Sequence, residues 1–237
     1  SLSIADIEKI VRSVKQQNPN TVCFVDNCYG EFIETQEPTH VGADLIAGSL
    51  IKNPGGTIVN AGGYIAGKEN LVEAAACRLT APGIGREGGA TFDQLRLLFQ
   101  GLFLAPQMVG EAMKGTHLTG YVFEKLGYPV KPAPFEPRGD VIQAIKFGSP
   151  EKLLAFCKAI QKHSPIGSYL DPIPDEMPGY ESKVVMAGGT FIEGSTSEFS
   201  ADGPLREPYI AYCQGGTHWT HVAIALEAAI EAVISEQ

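Results

Sequence analysis

The chain is expected to be an α/β protein, and three observations carry that expectation. It opens with an amphipathic helix, continues into an apolar strand, and passes through a loop to a second apolar strand. That order feeds crossovers into a mainly parallel sheet. At 237 residues it can bury a large core, and its 44% hydrophobic and 19% charged residues exclude a disordered chain.

Ser3-Ile4-Ala5-Asp6 is a capping-box start, with Asp in place of the usual Glu or Gln. Ile4, Ile7, Ile10, Val11 and Val14 fall at helical spacing, which predicts a helix over 4–16. Asn18-Pro19-Asn20 ends it, and Thr21 to Val25 reads as a buried strand. Ala43 to Ala47 is a second apolar run. Thr57 to Asn60 and Gly63 to Gly67 read as two short strands joined by a tight turn, ahead of a helix over 68–78.

After the glycine-rich stretch 81–89, apolar spacing predicts a long helix over 91–114, which Pro106 should kink or split, and another over 117–126. Pro129, Pro132, Pro134 and Pro137 mark a domain boundary, giving domains 1–130 and 131–237. Beyond it come a strand at 140–147, a helix at 149–163, strands at 183–187 and 209–212, and a terminal helix over 217–236. These form a smaller α+β domain.

A net charge of −9 without a basic run argues against a nucleic-acid binder, and no apolar stretch is long enough to span a bilayer. The first residues lack the features of a signal peptide. The five cysteines (Cys23, Cys28, Cys77, Cys157, Cys213) include no Cys-x-x-Cys pair, so reduced thiols in a cytoplasmic protein are expected, without a zinc site. His218 and His221 lack a nearby carboxylate or cysteine partner and read as surface or interface residues; no metal is expected. Gly62 to Lys68 imitates a phosphate-binding loop, but Glu69 stands where Ser or Thr must ligate magnesium. Gly83 to Gly88 matches a dinucleotide pattern, yet it follows a helix rather than a strand.

The chemistry concentrates between Asp26 and Lys52. Asp26 ends the first strand, and Ser49-Leu50-Ile51-Lys52 follows the second. An acid at one strand end and a Ser-x-x-Lys at the next suit a pyridoxal 5′-phosphate (PLP) enzyme. The lysine forms the Schiff base, the aspartate keeps the pyridinium nitrogen protonated, and the serine reaches the phosphate. Apolar neighbours make Lys52 a partly buried amine. Arg206, in a loop of the smaller domain, suits a bidentate grip on an amino-acid carboxylate. Two other readings stay open: a non-catalytic binding or assembly module in which Asp26 and Lys52 form a structural ion pair, and a phosphate- or nucleotide-binding protein using a glycine loop.

The segments VDNCYGEF, AGSLIKNPGGTIVNAGGYIAGK, APGIGREGG, GLFLAPQMVGEAMKG and GSTSEFSADGPLREPY together resemble the aluminium-resistance protein family, whose members are cystathionine β-lyase-like or methionine γ-lyase-like. The resemblance covers nearly the whole chain. It implies the second half of a fold-type I PLP-dependent transferase large domain plus the smaller domain. It also implies Lys52 as catalytic lysine, Asp26 and Ser49 as cofactor ligands, and Arg206 as the carboxylate-binding arginine. Tyr29 and the loop with Gly83, Gly85, Arg86, Glu87 and Gly88 would lie near the active site or a subunit interface. A carbon–sulfur lyase for sulfur-containing amino acids is implied, acting as a homodimer or homotetramer; a transaminase is the enzymatic alternative. Family members carry a further segment upstream of the first helix, with a phosphate-binding glycine loop and an aromatic residue that stacks on the cofactor ring. The resemblance makes this N-terminal segment of the same protein a required partner.

Overall fold

The structure, a computed structural model, describes residues 2–88, 91–190 and 197–236. They form two compact units, 1–106 and 107–237.

The first unit begins with helix α1 (Ile4–Gln17). Its capping box forms as the sequence predicts: Ser3 Oγ accepts the Asp6 amide at 3.1 Å, and the Asp6 carboxylate reaches back to Ser3. Strands β1 (Phe24–Asp26), β2 (Leu45–Ser49) and β3 (Gly63–Gly67) then build a three-stranded sheet in that order. β1 and β2 run parallel with Asp26 opposite Ala47, while β2 and β3 are antiparallel with Ser49 opposite Gly63. Helix α2 (Glu69–Leu79) follows β3.

Two expectations for this unit fail. β1 is not buried: among the described residues it lies at the sheet edge, and Phe24 is 57% exposed. Thr57 to Asn60 forms a turn and loop, not a strand. Gly56 and Thr57 both have positive φ (59° and 72°), a conformation that cannot propagate a pleated strand.

Asp44, at the start of β2, ties the elements of this unit together. Its Oδ2 accepts the Cys23 amide at 2.7 Å and the Lys15 ammonium of α1 at 2.6 Å, while Oδ1 accepts Lys68 at 2.6 Å. The Asp44 amide donates to the Cys23 carbonyl and its carbonyl accepts from the Lys68 amide. The side chain is only 3% exposed. The Cys23 amide, then Lys15 and Lys68, hold its carboxyl far below the ordinary carboxylate range.

Helix α3 (Leu95–Lys125) is one helix of 31 residues with Pro106 inside it, so the two helices expected at 91–114 and 117–126 are one. Pro106 removes one backbone donor but does not end the helix. Ala105, Val109, Ala112 and Phe123, on both sides of it, are all buried, and their burial outweighs the local cost. The helix starts later than expected because Phe92 and Asp93 have positive φ.

The second unit holds a five-stranded antiparallel sheet in the order β4 (Val130–Lys131), β5 (Gln143–Lys146), β8 (Ile210–Gln214), β7 (Ser200–Pro204), β6 (Val184–Ala187). Helices α4 (Pro150–Lys162) and α5 (Trp219–Ser235) pack together beside it. Phe123, Phe147 and Phe156 form the aromatic centre of its core, with Phe123 and Phe156 edge to face at 5.4 Å. This is the expected α+β arrangement. Strand β7 has no strand signature; its pairing with β6 and β8 makes it one.

Replacing Asp44 with Asn is expected to cost about 3 kcal/mol in urea unfolding at pH 7, because it breaks a buried pair with two cations. The Asp44 pKa is depressed in the fold, so its contribution is complete above the ordinary carboxylate range and is lost as pH falls below about 4. The gap between wild type and Asp44→Asn should therefore shrink as unfolding is repeated at lower pH.

Candidate active site

β1 and β2 are parallel neighbours, and the predicted site residues lie at and just beyond their C-terminal ends. Asp26 closes β1 and Ser49 closes β2, two residues past Ala47, the register partner of Asp26. The backbone then bends at Lys52, which is extended (φ −96°, ψ −163°) and precedes a buried 3₁₀ turn, Asn53–Gly55. Gly56 sits in the left-handed region against the backbone of Gly101, an approach that leaves no room for a Cβ.

The loop after β1 is organised by Asp26. Its Oδ1 accepts the Cys28 amide at 3.1 Å, and the Cys28 thiol donates to the same carboxylate. These two bonds, with a smaller contribution from the Lys52 charge, hold the Asp26 carboxyl below its ordinary range, against the cost of partial burial. Partial burial and donation to Asp26 push the Cys28 thiol up. The Asn27 amide bonds the Ala47 carbonyl at 2.8 Å, and the Gly30 amide closes a turn on the Asn27 carbonyl at 3.0 Å.

Lys52 is half-buried, as expected. Its Nζ lies 4.8 Å from the centroid of the Tyr29 ring. Among the described residues, no ion pair within 4 Å joins Asp26 to Lys52, so the structural ion pair of the scaffold reading does not form. The two charges share one field without contact.

Behind the loop lies a polar cluster that sequence reasoning missed. The Tyr64 hydroxyl donates to Glu31 Oε1 at 2.9 Å. Asn27 Nδ2 reaches Glu37 Oε2 at 2.8 Å and Tyr64 Oη at 3.2 Å, and Glu37 Oε1 accepts the Phe32 amide at 3.0 Å. Glu31 is buried, and desolvation raises its pKa to about 7; bonding to the backbone and to Tyr64 opposes the rise, and Glu37 adds to it. A Cβ at Gly48 would collide with the Glu31 carboxylate and the Tyr64 ring, so glycine in β2 makes room for the pair. The cluster lines one side of a cleft of about 390 Å³, walled by Ile46, Leu50 and the α3 residues Leu98 and Leu102. Asn27 and Glu31 belong to the VDNCYGEF segment, but their partner Tyr64 is 33 residues from Glu31 in sequence.

The other predicted residues belong to the loop after α2 and to the second unit. Gly83, Gly85, Arg86, Glu87 and Gly88 form an irregular turn after α2; Gly89 lies outside the described residues. Arg86 folds back on α2, pairing with Glu69 at 2.9 Å and Glu73 at 3.3 Å, and Thr80 Oγ1 bonds the Gly85 carbonyl at 3.1 Å. Glu69, the residue that spoils the phosphate-loop pattern, is therefore an ion-pair partner, and Gly63–Gly67 is strand β3 rather than a loop. Arg206 is exposed in the second unit, in a turn after β7 closed by the Tyr209 amide on the Arg206 carbonyl at 2.8 Å. His218 caps α5 with Nε2 3.9 Å from Glu111, and His221 Nε2 lies 2.7 Å from the His163 carbonyl.

Residues 1–234 match the Methionine gamma-lyase family along nearly the whole chain. The chain belongs to that family.

It is 50% identical over 237 residues to "Uncharacterized protein YnbB" of Bacillus subtilis (strain 168), covering all of this chain and 56% of the relative. It is 54% identical over 230 residues to an "Uncharacterized 33.9 kDa protein in glnA 5'region" of Lactobacillus delbrueckii subsp. bulgaricus, covering 97% of this chain and 75% of that one. A solved "carbon-sulfur lyase involved in aluminum resistance" from Clostridium novyi NT is 51% identical with a TM-score of 0.90, over 99% of this chain and 55% of that one. A cystathionine gamma synthase from Xanthomonas oryzae pv. oryzae, at 16% identity, shares the fold with a TM-score of 0.63, over 98% of this chain and 60% of that one. The chain thus spans little more than half the length of most of these relatives. Its fold is α/β and corresponds to part of the fold-type I architecture. Among the described residues, no helix is long and apolar enough to cross a membrane.

The raised pKa of Glu31 has a measurable sign. Between about pH 4.5 and 7 the folded protein holds a proton that the unfolded chain has released, so stability falls as pH rises through that window. Glu31→Gln is expected to flatten this slope in denaturant unfolding followed from pH 4.5 to 7.5.

Proposed function

We propose that the chain is part of a PLP-dependent carbon–sulfur lyase that acts on sulfur-containing amino acids, by an elimination of the cystathionine β-lyase or methionine γ-lyase kind. The observation that carries this reading is the grouping of Asp26, Ser49 and Lys52 where two parallel strands end, the edge at which α/β sheets bind ligands. The donor set fits the cofactor. Asp26 is held ionised, the Ser49 hydroxyl is a phosphate donor, and the Lys52 amine is not tied up in an ion pair with Asp26.

When bound, the cofactor supplies an electron sink for the charge left at Cα. Asp26 would hold the ring nitrogen and keep it protonated, Ser49 Oγ would hold the phosphate, and Lys52 would be the residue that carries the cofactor and the base toward the Cα proton. Arg206 presents two parallel N–H donors to the substrate α-carboxylate. In the net reaction the carbon–sulfur bond breaks and sulfur leaves with a proton as a thiol. Water then converts the remainder into a 2-oxo acid and ammonia.

In this reading residues 1–130 belong to the cofactor-binding large domain and 131–237 to the small domain. An upstream segment of the same protein, present in the longer relatives, completes the cofactor cradle. The assembly is a cytoplasmic homo-oligomer, a dimer or tetramer.

Incubation with PLP followed by borohydride reduction and peptide mapping is expected to place a pyridoxyl group on Lys52. Lys52→Ala should lose that label and lower lyase turnover by about 10³-fold or more. A label on another lysine, or turnover that survives Lys52→Ala, sinks the proposal.

A further inference from the structure

We propose that Tyr29 is a positioning residue for Lys52, its ring face holding the amine at the mouth of the site beside, but apart from, Asp26. The inference rests on the reading of Lys52 as the lysine that carries the cofactor.

The first observation is geometric. Lys52 Nζ stands over the Tyr29 ring, 4.8 Å from its centroid, within the range in which the ring quadrupole attracts a cation. The Lys52 backbone is fixed by the turn after it: Asn53, Pro54 and Gly55 are buried, and the Gly55 amide bonds the Lys52 carbonyl at 2.9 Å. The side chain beyond has four rotatable bonds, and its head needs a contact of its own to stay in one place. A carboxylate in that role would favour the protonated amine and itself be engaged in an ion pair. An aromatic face orients the amine and leaves Asp26 to its Cys28 bonds.

The second observation is conformational. Tyr29 has φ +70°, in the left-handed region, a setting that a bulky side chain rarely adopts. Glycine would occupy this position without strain, and a glycine stands immediately after it. The loop is anchored at both ends, by the Asn27 amide on Ala47 and by the Phe32 amide on Glu37, so the strained backbone is over-determined. Strain retained under a large side chain marks a position where the side chain, not the turn, is wanted. Its ring lies against the amine on which the proposed chemistry depends.

The role comes from the proton Lys52 gains. As the amine takes a proton from Cα it becomes an ammonium, and the ring face beneath it offsets part of that charge without itself exchanging a proton.

The test compares Tyr29→Phe, Tyr29→Leu and Tyr29→Gly. Nuclear magnetic resonance of ε-¹³C-lysine protein, with the signal assigned by Lys52→Arg, reads the contact directly. The Lys52 ε-methylene protons are expected upfield in wild type and Tyr29→Phe, and at the position of a free lysine in Tyr29→Leu and Tyr29→Gly. In the holoenzyme, kcat should fall about tenfold in Tyr29→Leu and Tyr29→Gly with KM nearly unchanged, and recover in Tyr29→Phe. Tyr29→Gly also relieves the backbone, so its Tm is expected to match or exceed that of wild type. A lower Tm in Tyr29→Gly with unchanged kcat would mean an ordinary packing residue and overturns the inference. A wild-type protein labelled at Lys52 but with an unshifted ε signal overturns this inference alone. No label at Lys52 overturns the cofactor reading and this inference with it.

Discussion

The first unit depends on a single buried carboxylate. Asp44 meets two ammonium groups and a backbone amide, and these come from the end of α1, the lead-in to β1 and the residue that starts α2. The carboxylate is buried and satisfied by three donors, so removing it leaves two ammonium groups and the Cys23 amide without this partner. The register of β1 against β2 starts beside it, because the Asp44 amide donates to the Cys23 carbonyl and the Cys23 amide to the Asp44 carboxylate immediately before the first paired residues, Phe24 and Leu45. The C-terminal ends of those two strands carry Asp26 and Ser49. One end of the strand pair is thus fixed by Asp44, and the other carries Asp26 and Ser49.

A second constraint fixes the loop between the strands. Glu31 and Tyr64 meet across Gly48, and Asn27 joins them to Glu37. This network ties the loop through Asn27, Glu31 and Phe32, while the Cys28 amide ties it to Asp26. Glu31 also senses the charge of Lys52, though weakly beside its own desolvation. Burial and nearby charge therefore act together on this carboxylate.

Local signals made much of this legible. The capping box of α1, the Ser149-Pro150 start of α4 and the strand-end placement of Asp26, Ser49 and Lys52 are all written within a few residues. What could not be read depends on distant partners or on backbone geometry. Ser200 to Pro204 is a strand through its neighbours β6 and β8. Ile58 and Val59 look like strand residues, but the positive φ of Gly56 and Thr57 breaks the run. The continuity of α3 through Pro106 reflects burial on either side, which local propensity does not report. Tyr64 carries no signal of its own until Gly48 clears the space between it and Glu31.

The exposed outer edge of β1 has a further consequence. A strand with one unpaired side is a template, and among the described residues the outer side of β1 has no partner strand, with Val22 and Phe24 exposed beside it. The geometry that would let a neighbouring strand extend the sheet also lets a foreign one attach. Shortness and the terminal charge of Asp26 limit such pairing, the usual safeguards of natural edges. The safeguard is thus carried in part by the same Asp26 that ends the strand, so one carboxylate serves both the edge and the loop that follows it.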